Sequence, residues 1–413
     1  MRRRLAGLVV IGILGSVLIV VTPASADSIR DREYWLSQYG ISQAWNTTRG
    51  AGVTVAVIDS GIDGSHPDLT GTVIGGTDVS GVGTADGQTP IGESSAHGTM
   101  VASLLAGHGN GDNAGVIGVA PEAKLLAISV GFGVGDVSSD GQIAAAVRWA
   151  VDNGADVINM SLTRNTLEWP ESWDDAFLYA MQQDVVIVAA AGNRGSGTTQ
   201  VGAPATMPGV LTVAGVDRSG AASFDASSQG ITIAVAAPSE ELIGALPGGG
   251  YAQWSGTSGA TPLVSGLVAL VRSAHPELDA GNVINRITAT ATQVGDEAVS
   301  AIYGHGRINA AAAVGNSVAL VDDDPAALLE EWIRLYRRAD VPPEPQPTSS
   351  PTPSPSPAPA PIAGPENPFG TLLPAVDSLR NIGIPFAVIL VFAGLLALLI
   401  RGAVRQFRPP RDG

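Results

Sequence analysis

The sequence has no cysteine. No disulfide can staple it, and no thiolate can serve as nucleophile or metal ligand. Positive charge is scarce: 22 Lys and Arg stand against 38 Asp and Glu, a formal net charge of −16. Seven of the 22 are Arg2, Arg3, Arg4, Arg401, Arg405, Arg408 and Arg411, all near the two ends. The part between is therefore more acidic still. Such a surface repels nucleic acid and anionic lipid, so no nucleic-acid partner is expected. Residues 342–368 lack core-forming side chains and consist largely of Pro, Ser, Thr and Ala. They predict an extended, semi-rigid linker of about 3.1 Å per residue at most.

What remains is apolar: 45% of the residues, enough for one large core. The two ends are set apart. Arg2-Arg3-Arg4, the apolar run Leu5 to Val21 and Ala24-Ser25-Ala26 have the three parts of a secretory signal peptide over residues 1–26. Residues 382–400 form a nearly unbroken apolar run of 19 residues, long enough for a hydrocarbon core of about 30 Å. Four Arg follow it, which places residues 401–413 as a basic cytoplasmic tail. The expected layout is signal 1–26, catalytic domain 27–318, amphipathic helix 319–341, linker 342–368, juxtamembrane piece 369–381, span 382–400 and tail. The amphipathic helix is predicted from Asp324 as N-cap and Pro325 at the first position, with a stripe of Leu328, Leu329, Trp332, Ile333, Leu335 and Tyr336.

Within 27–318, apolar β-branched runs alternate with helical patterns. Val53 to Ile58, Leu125 to Val130, Asp156 to Met160, Val185 to Ala190, Leu211 to Val216 and Ile231 to Ala236 read as strands. Gln142 to Val151 reads as a helix, and residues 75–94 as a loop. The pattern predicts an α/β fold, a mostly parallel sheet with helices on both faces and its site at the strands' carboxyl ends.

Chemistry-bearing residues stand at the ends of these elements. Ser258 lies in Gly256-Thr257-Ser258-Gly259-Ala260-Thr261-Pro262, ahead of an apolar helix, with Pro262 expected in its first turn. A Ser in that place is most often only a helix cap; its partners decide. Asp59 ends the first strand in Asp59-Ser60-Gly61, His97 opens a second apolar helix, and Asn193 follows the strand that ends at Ala190.

Around Asp59 (Asp-Ser-Gly-Ile-Asp-Gly-Ser-His-Pro-Asp-Leu), His97 (His-Gly-Thr-Met-Val-Ala-Ser) and Ser258 (Gly-Thr-Ser-Gly-Ala-Thr-Pro), the chain resembles the subtilases. Residues 157–162 and 190–193 also match, in the family's order and over about residues 40–315. The resemblance implies a serine endopeptidase with Ser258 as nucleophile, His97 as base, Asp59 as its orienting acid and Asn193 as oxyanion donor. It implies Ser129-Val130-Gly131 and Ser161-Leu162-Thr163 on either side of a substrate strand, with Ala190 and Gly192 in the wall of the specificity pocket. The substrate is a protein or peptide, and no cofactor or metal is implied. Asp63, His66 and Asp68 resemble a metal cluster but belong to a structural turn in this family; His108, His275 and His305 read as surface residues.

The order of segments resembles the mycosins, membrane-anchored subtilases that work with type VII secretion complexes, although the absence of Cys departs from the disulfides expected there. Only 32 positions separate residue 27 from Asp59, too few for an inhibitory prodomain, so folding without one is expected. Two departures stand inside the motifs. Gly259 replaces a larger residue and is expected to loosen the oxyanion site. Thr163 replaces a Gly and is expected to narrow the cleft. A structural subunit that keeps the fold for scaffolding is the rival reading, and the intact Asp59, His97, Asn193 and Ser258 argue against lost chemistry. The acid-active sedolisin type would need Glu at His97 and Asp at Asn193.

Overall fold

In the computed structural model the chain divides into two units, Met1–Pro342 and Pro343–Gly413. The structure describes residues 27–337, apart from 112, 133, 135, 136 and 198. The signal, linker, span and tail expected from the sequence lie outside the described residues. Among the described residues no helix is long and apolar enough to cross a membrane.

Three helical turns, α1 (Asp27–Arg30), α2 (Trp35–Gln38) and α3 (Ile41–Ala44), lead into β1 (Thr54–Asp59). They pack on the domain: Trp35 and Ile41 are wholly buried. The chain continues through β2 (Val73–Asp78), α4 (His97–Ala106), β3 (Lys124–Ser129), α5 (Ser139–Asp152), β4 (Val157–Met160), α6 (Asp174–Gln182) and β5 (Val186–Ala190). Then come β6 (Leu211–Val216), β7 (Ile233–Pro238), β8 (Leu242–Ala245), β9 (Tyr251–Trp254), α7 (Thr257–Ala274), α8 (Ala280–Ala289), α9 (Ala310–Gly315) and α10 (Pro325–Tyr336).

Strands β1 to β7 form one parallel sheet in the order β2-β3-β1-β4-β5-β6-β7. Their buried, β-branched runs suit a sheet covered on both faces. One layer holds α4 and α7, with α7 crossing β4 to β7; the other holds α5 and α6. The chain order reverses at β1, which pairs with β3 on one side and β4 on the other. The carboxyl end of β1 is therefore the switch point where such sheets leave a crevice. Register brings Asp59 beside Ser129 there.

Several elements differ from the sequence reading. The stretch read as a loop begins with β2, an edge strand whose Gly75 and Gly76 hide its character. A Cβ on Gly76 would lie 2.3 Å from the carbonyl oxygen of Ala127 and 2.1 Å from that of Asp86, so no larger residue fits. Strand β7 starts at Ile233; Ile231 is 92% exposed in the turn before it. Strands β8 and β9 form an antiparallel hairpin that the sequence reading did not include. Pro262 is the sixth residue of α7, beyond the first turn. The cap of α10 is as expected: the Asp324 carboxylate accepts from the Ala326 N–H at 2.9 Å, with Pro325 next. Its buried stripe is narrower than predicted. Leu329 is buried and Trp332 lies 4.2 Å from Trp169, ring to ring, but Leu328, Leu335 and Tyr336 are exposed.

Candidate active site

Asp59 is the last residue of β1 and His97 the first of α4. Ser60 clamps the two elements together. Its hydroxyl accepts from the Gly98 N–H at 3.1 Å and donates to the Ser95 carbonyl at 3.1 Å. This brings His97 Nδ1 within 2.8 and 2.9 Å of the two Asp59 carboxylate oxygens. Asp59 is buried and also accepts from the Ser60 N–H at 2.7 Å. With Nδ1–H donating to the carboxylate, the lone pair of Nε2 is left to act as a base. Trp254 meets the imidazole edge-on, ring centroids 5.6 Å apart. Burial disfavours the charged imidazole, but the Asp59 charge and its hydrogen bond outweigh it, and the His97 pKa is raised above its ordinary value.

Ser258 is the second residue of α7, where backbone N–H groups lack helical partners. Its hydroxyl donates to the carbonyl oxygen of Ser161 at 3.0 Å. Attack on a substrate requires that hydroxyl to turn toward His97, a tightening that catalytic hydrogen bonds often reserve for the substrate complex.

Asn193 is held in one orientation. Its Oδ1 accepts from both the backbone N–H and the hydroxyl of Thr257, each at 2.8 Å. The same hydroxyl accepts from the Gly192 N–H at 3.2 Å. The amide Nδ2 is left as a free-facing donor, and Gly256 keeps the space beside it open. Gly256 has φ +147°, and a Cβ there would stand 3.1 Å from Nδ2. Thr257 was not among the sequence candidates, because its contact spans 64 residues of chain.

The expected substrate-strand residues fall into two groups. Ser161, Leu162, Asp59, Ser60, Ser94, His97 and Phe132 line a cleft of about 200 Å³. On the opposite edge, Ser129 is turned inward, its hydroxyl donating to Asp78 at 2.7 Å, and Val130 is buried. Gly131 has both main-chain groups hydrogen-bonded to Gln142, whose amide accepts at 2.8 Å and donates at 3.2 Å. The Gly131 N–H is thus engaged by a buried side-chain amide, while its carbonyl, with two lone pairs, keeps one acceptor position. The wall on that side is Phe132, 54% exposed, an aromatic in a Gly-rich loop that the motif reading passed over.

Ala190 is buried at the end of β5, and Gly192 takes φ +101° just beyond it. Thr163 faces Gly202, where a Cβ would lie 2.7 Å from the Thr163 hydroxyl and 1.7 Å from the Arg164 carbonyl oxygen. The loosening expected at Gly259 is not found. A Cβ there would sit 2.4 Å from Leu242 Cδ1 and 3.4 Å from the Trp254 ring, so the β8–β9 hairpin fills the space.

Asp63 accepts from Gly248 across the surface at 2.7 Å, and Asp68 accepts from the Val116 N–H at 2.8 Å. They thus act in loop closure. His108 and His305 are exposed and His275 half-buried.

The sequence profile described as the Subtilase family matches residues 50–306. Subtilisin E of Bacillus subtilis (strain 168) is 41% identical over 287 residues, 67% of this chain and 70% of its own length. MycP1 from Mycobacterium smegmatis superposes with a TM-score of 0.61 at 30% identity, covering 72% of this chain and 88% of that one. MycP3, a protease from the type VII (ESX-3) secretion system, gives 0.59 at 32% identity over 69% and 88%. Fervidolysin from Fervidobacterium pennivorans, a keratinolytic enzyme, gives 0.59 at 29% identity; the match spans 70% of this chain and 47% of that longer one.

Proposed function

The chain belongs to the subtilase family and is a subtilisin-like serine endopeptidase, and from that premise we propose that it is a membrane-anchored, extracytoplasmic protease of the mycosin kind. The observation that supports the catalytic part is the Asp59–His97 pair at the switch point, with Ser258 hydrogen-bonded to Ser161 of the same cleft and Asn193 to Thr257, the residue before Ser258.

In this reading His97 Nε2 takes the Ser258 proton as the oxygen attacks the scissile carbonyl, then returns it to the leaving amine. Asp59 holds the imidazole tautomer and stabilises its charged form. The developing oxyanion is met by Asn193 Nδ2 and the Ser258 N–H. A fluorophosphonate tests this without knowledge of the substrate: it should label the purified protein at Ser258 and spare Ser258→Ala. Labelling elsewhere, or none, would defeat the assignment. Replacing Asn193 by Ala should lower kcat by about 100- to 1000-fold with little change in KM, the magnitude known for subtilisin itself. An unchanged kcat would remove Asn193 from the oxyanion site.

The membrane and secretion parts rest on residues 1–26 and 382–400 and on the likeness to MycP1 and MycP3. The natural substrates would be proteins exported through a type VII membrane complex. Topology is open to a direct test. Protease added outside cells stripped of any outer envelope should cut between Pro342 and Pro368, since chain without a core is readily cleaved. The released fragment should be soluble and active. Recovery of the catalytic domain only after rupture of the cytoplasmic membrane would reverse the orientation.

A further inference from the structure

In an α-helix the carbonyl of residue i accepts from the N–H of residue i+4. For Ser258 that partner is residue 262, a proline, which has no N–H. The carbonyl lies among wholly buried neighbours of α7, including Ala260, Thr261 and Leu263, where an unpaired acceptor is costly. It is not left unpaired: the Ser161 hydroxyl donates to it at 2.9 Å.

The direction of that bond is set by a chain of buried groups. The Ser265 hydroxyl lies 2.9 Å from Asn159 Oδ1 and donates to it, which fixes the amide's orientation. The Asn159 NH₂ then donates to Ser161 Oγ at 3.0 Å. With that oxygen already accepting, its proton is left for the Ser258 carbonyl. Asn159 and Ser265 are wholly buried. Ser265 is seven residues after Ser258, two turns along the same face of α7. The chain of bonds thus starts and ends on α7 and passes through β4 and the residue just beyond it. Ser161 also accepts the Ser258 hydroxyl on its own carbonyl.

We infer that Ser161 is a positioning residue for the nucleophile, its side chain supplying the hydrogen bond that Pro262 denies to Ser258. By holding the Ser258 carbonyl it fixes rotation about the Cα–C bond of Ser258, and so the direction in which the Cβ–Oγ arm leaves the helix. The inference rests on the reading of Ser258 as nucleophile. It differs from the role of Ser161 in lining the cleft, which uses main-chain atoms that Ser161→Ala keeps.

The test is a double-mutant cycle between Ser161→Ala and Pro262→Ala, read by kcat, by KM on a peptide substrate and by the rate of fluorophosphonate labelling. Thermal melting establishes that each variant is folded. Ser161→Ala should lower kcat and the labelling rate about tenfold, with KM within about twofold of wild type. Pro262→Ala restores a backbone N–H that can reach the Ser258 carbonyl. In that background, Ser161→Ala should therefore cost less than about threefold. An equal loss in both backgrounds would overturn the inference, as would a raised KM with kcat and labelling unchanged. Should Pro262→Ala not fold, Ser265→Ala replaces it. Releasing the Asn159 amide should slow labelling without raising KM, and an unchanged rate overturns the inference. A wild-type protein that is not labelled at all would instead overturn the assignment of Ser258 on which it stands.

Discussion

Replacing Ser258 by Ala should lower kcat on the order of a million-fold and leave the fold in place. The size is that known for subtilisin, where loss of the nucleophile alone costs nearly as much as loss of the whole triad. The structural reason for so large a number is that the other groups have nothing to work on. His97 is a base only for a hydroxyl brought to it, and Asp59 acts only through His97. The residual rate would come from Asn193 and the helix N-terminus polarising a bound carbonyl. Stability should change little, because the hydroxyl makes one hydrogen bond, to the Ser161 carbonyl, worth about 1 kcal/mol net. Measurement of kcat on a general protein substrate, alongside a melting curve, checks both halves. A variant as fast as wild type would remove Ser258 from the mechanism.

Asp59→Asn should cost about ten-thousand-fold in kcat and also move the pH profile. Asn can present an N–H to His97 Nδ1 where the carboxylate presented only acceptors, which favours the wrong tautomer. In wild type, activity needs neutral His97. Its pKa is raised, so kcat/KM should fall as pH drops through a midpoint above about 6.5, the ordinary value for His. Burial alone would lower that pKa, and the Asp59 charge reverses it. Removing the charge should therefore shift the residual acid limb to lower pH. A limb that stays where it was would show that Asp59 does not set the His97 charge. A rate maximum near pH 4 in wild type would point to acid-protease chemistry.

The legible part of this fold was what local chemistry writes down. Largely apolar runs announced β1 and β3 to β6, and Asp-Pro announced the start of α10. Acid, imidazole, amide and hydroxyl were legible because each ends a regular element inside a distinctive motif. Interactions between distant segments were not. Strand β2 carries glycines that local propensity counts against a strand; at Gly76 neighbouring backbone leaves no room for a side chain. Gly259 looked like a vacancy because nothing near it in sequence shows that Leu242 packs there. The hydrogen bond of the Gly131 N–H depends on Gln142, which local sequence shows only as the start of a helical stretch. The orientation of Asn193 depends on Thr257 in the same way.

The placement of α7 has a consequence in time. It crosses β4 to β7, so it can dock only when those strands are in place, and it carries Ser258 near its beginning. The acid and the base belong to the first part of the chain to be synthesised, the nucleophile to a part that arrives much later. A chain still emerging, from a ribosome or through a membrane, holds Asp59 and His97 with nothing to activate. Parallel pairing across such sequence distances is slow to form, which lengthens that interval. The order of the segments thus acts as a delay, in which the nucleophile joins its partners only after the strands beneath α7 are built.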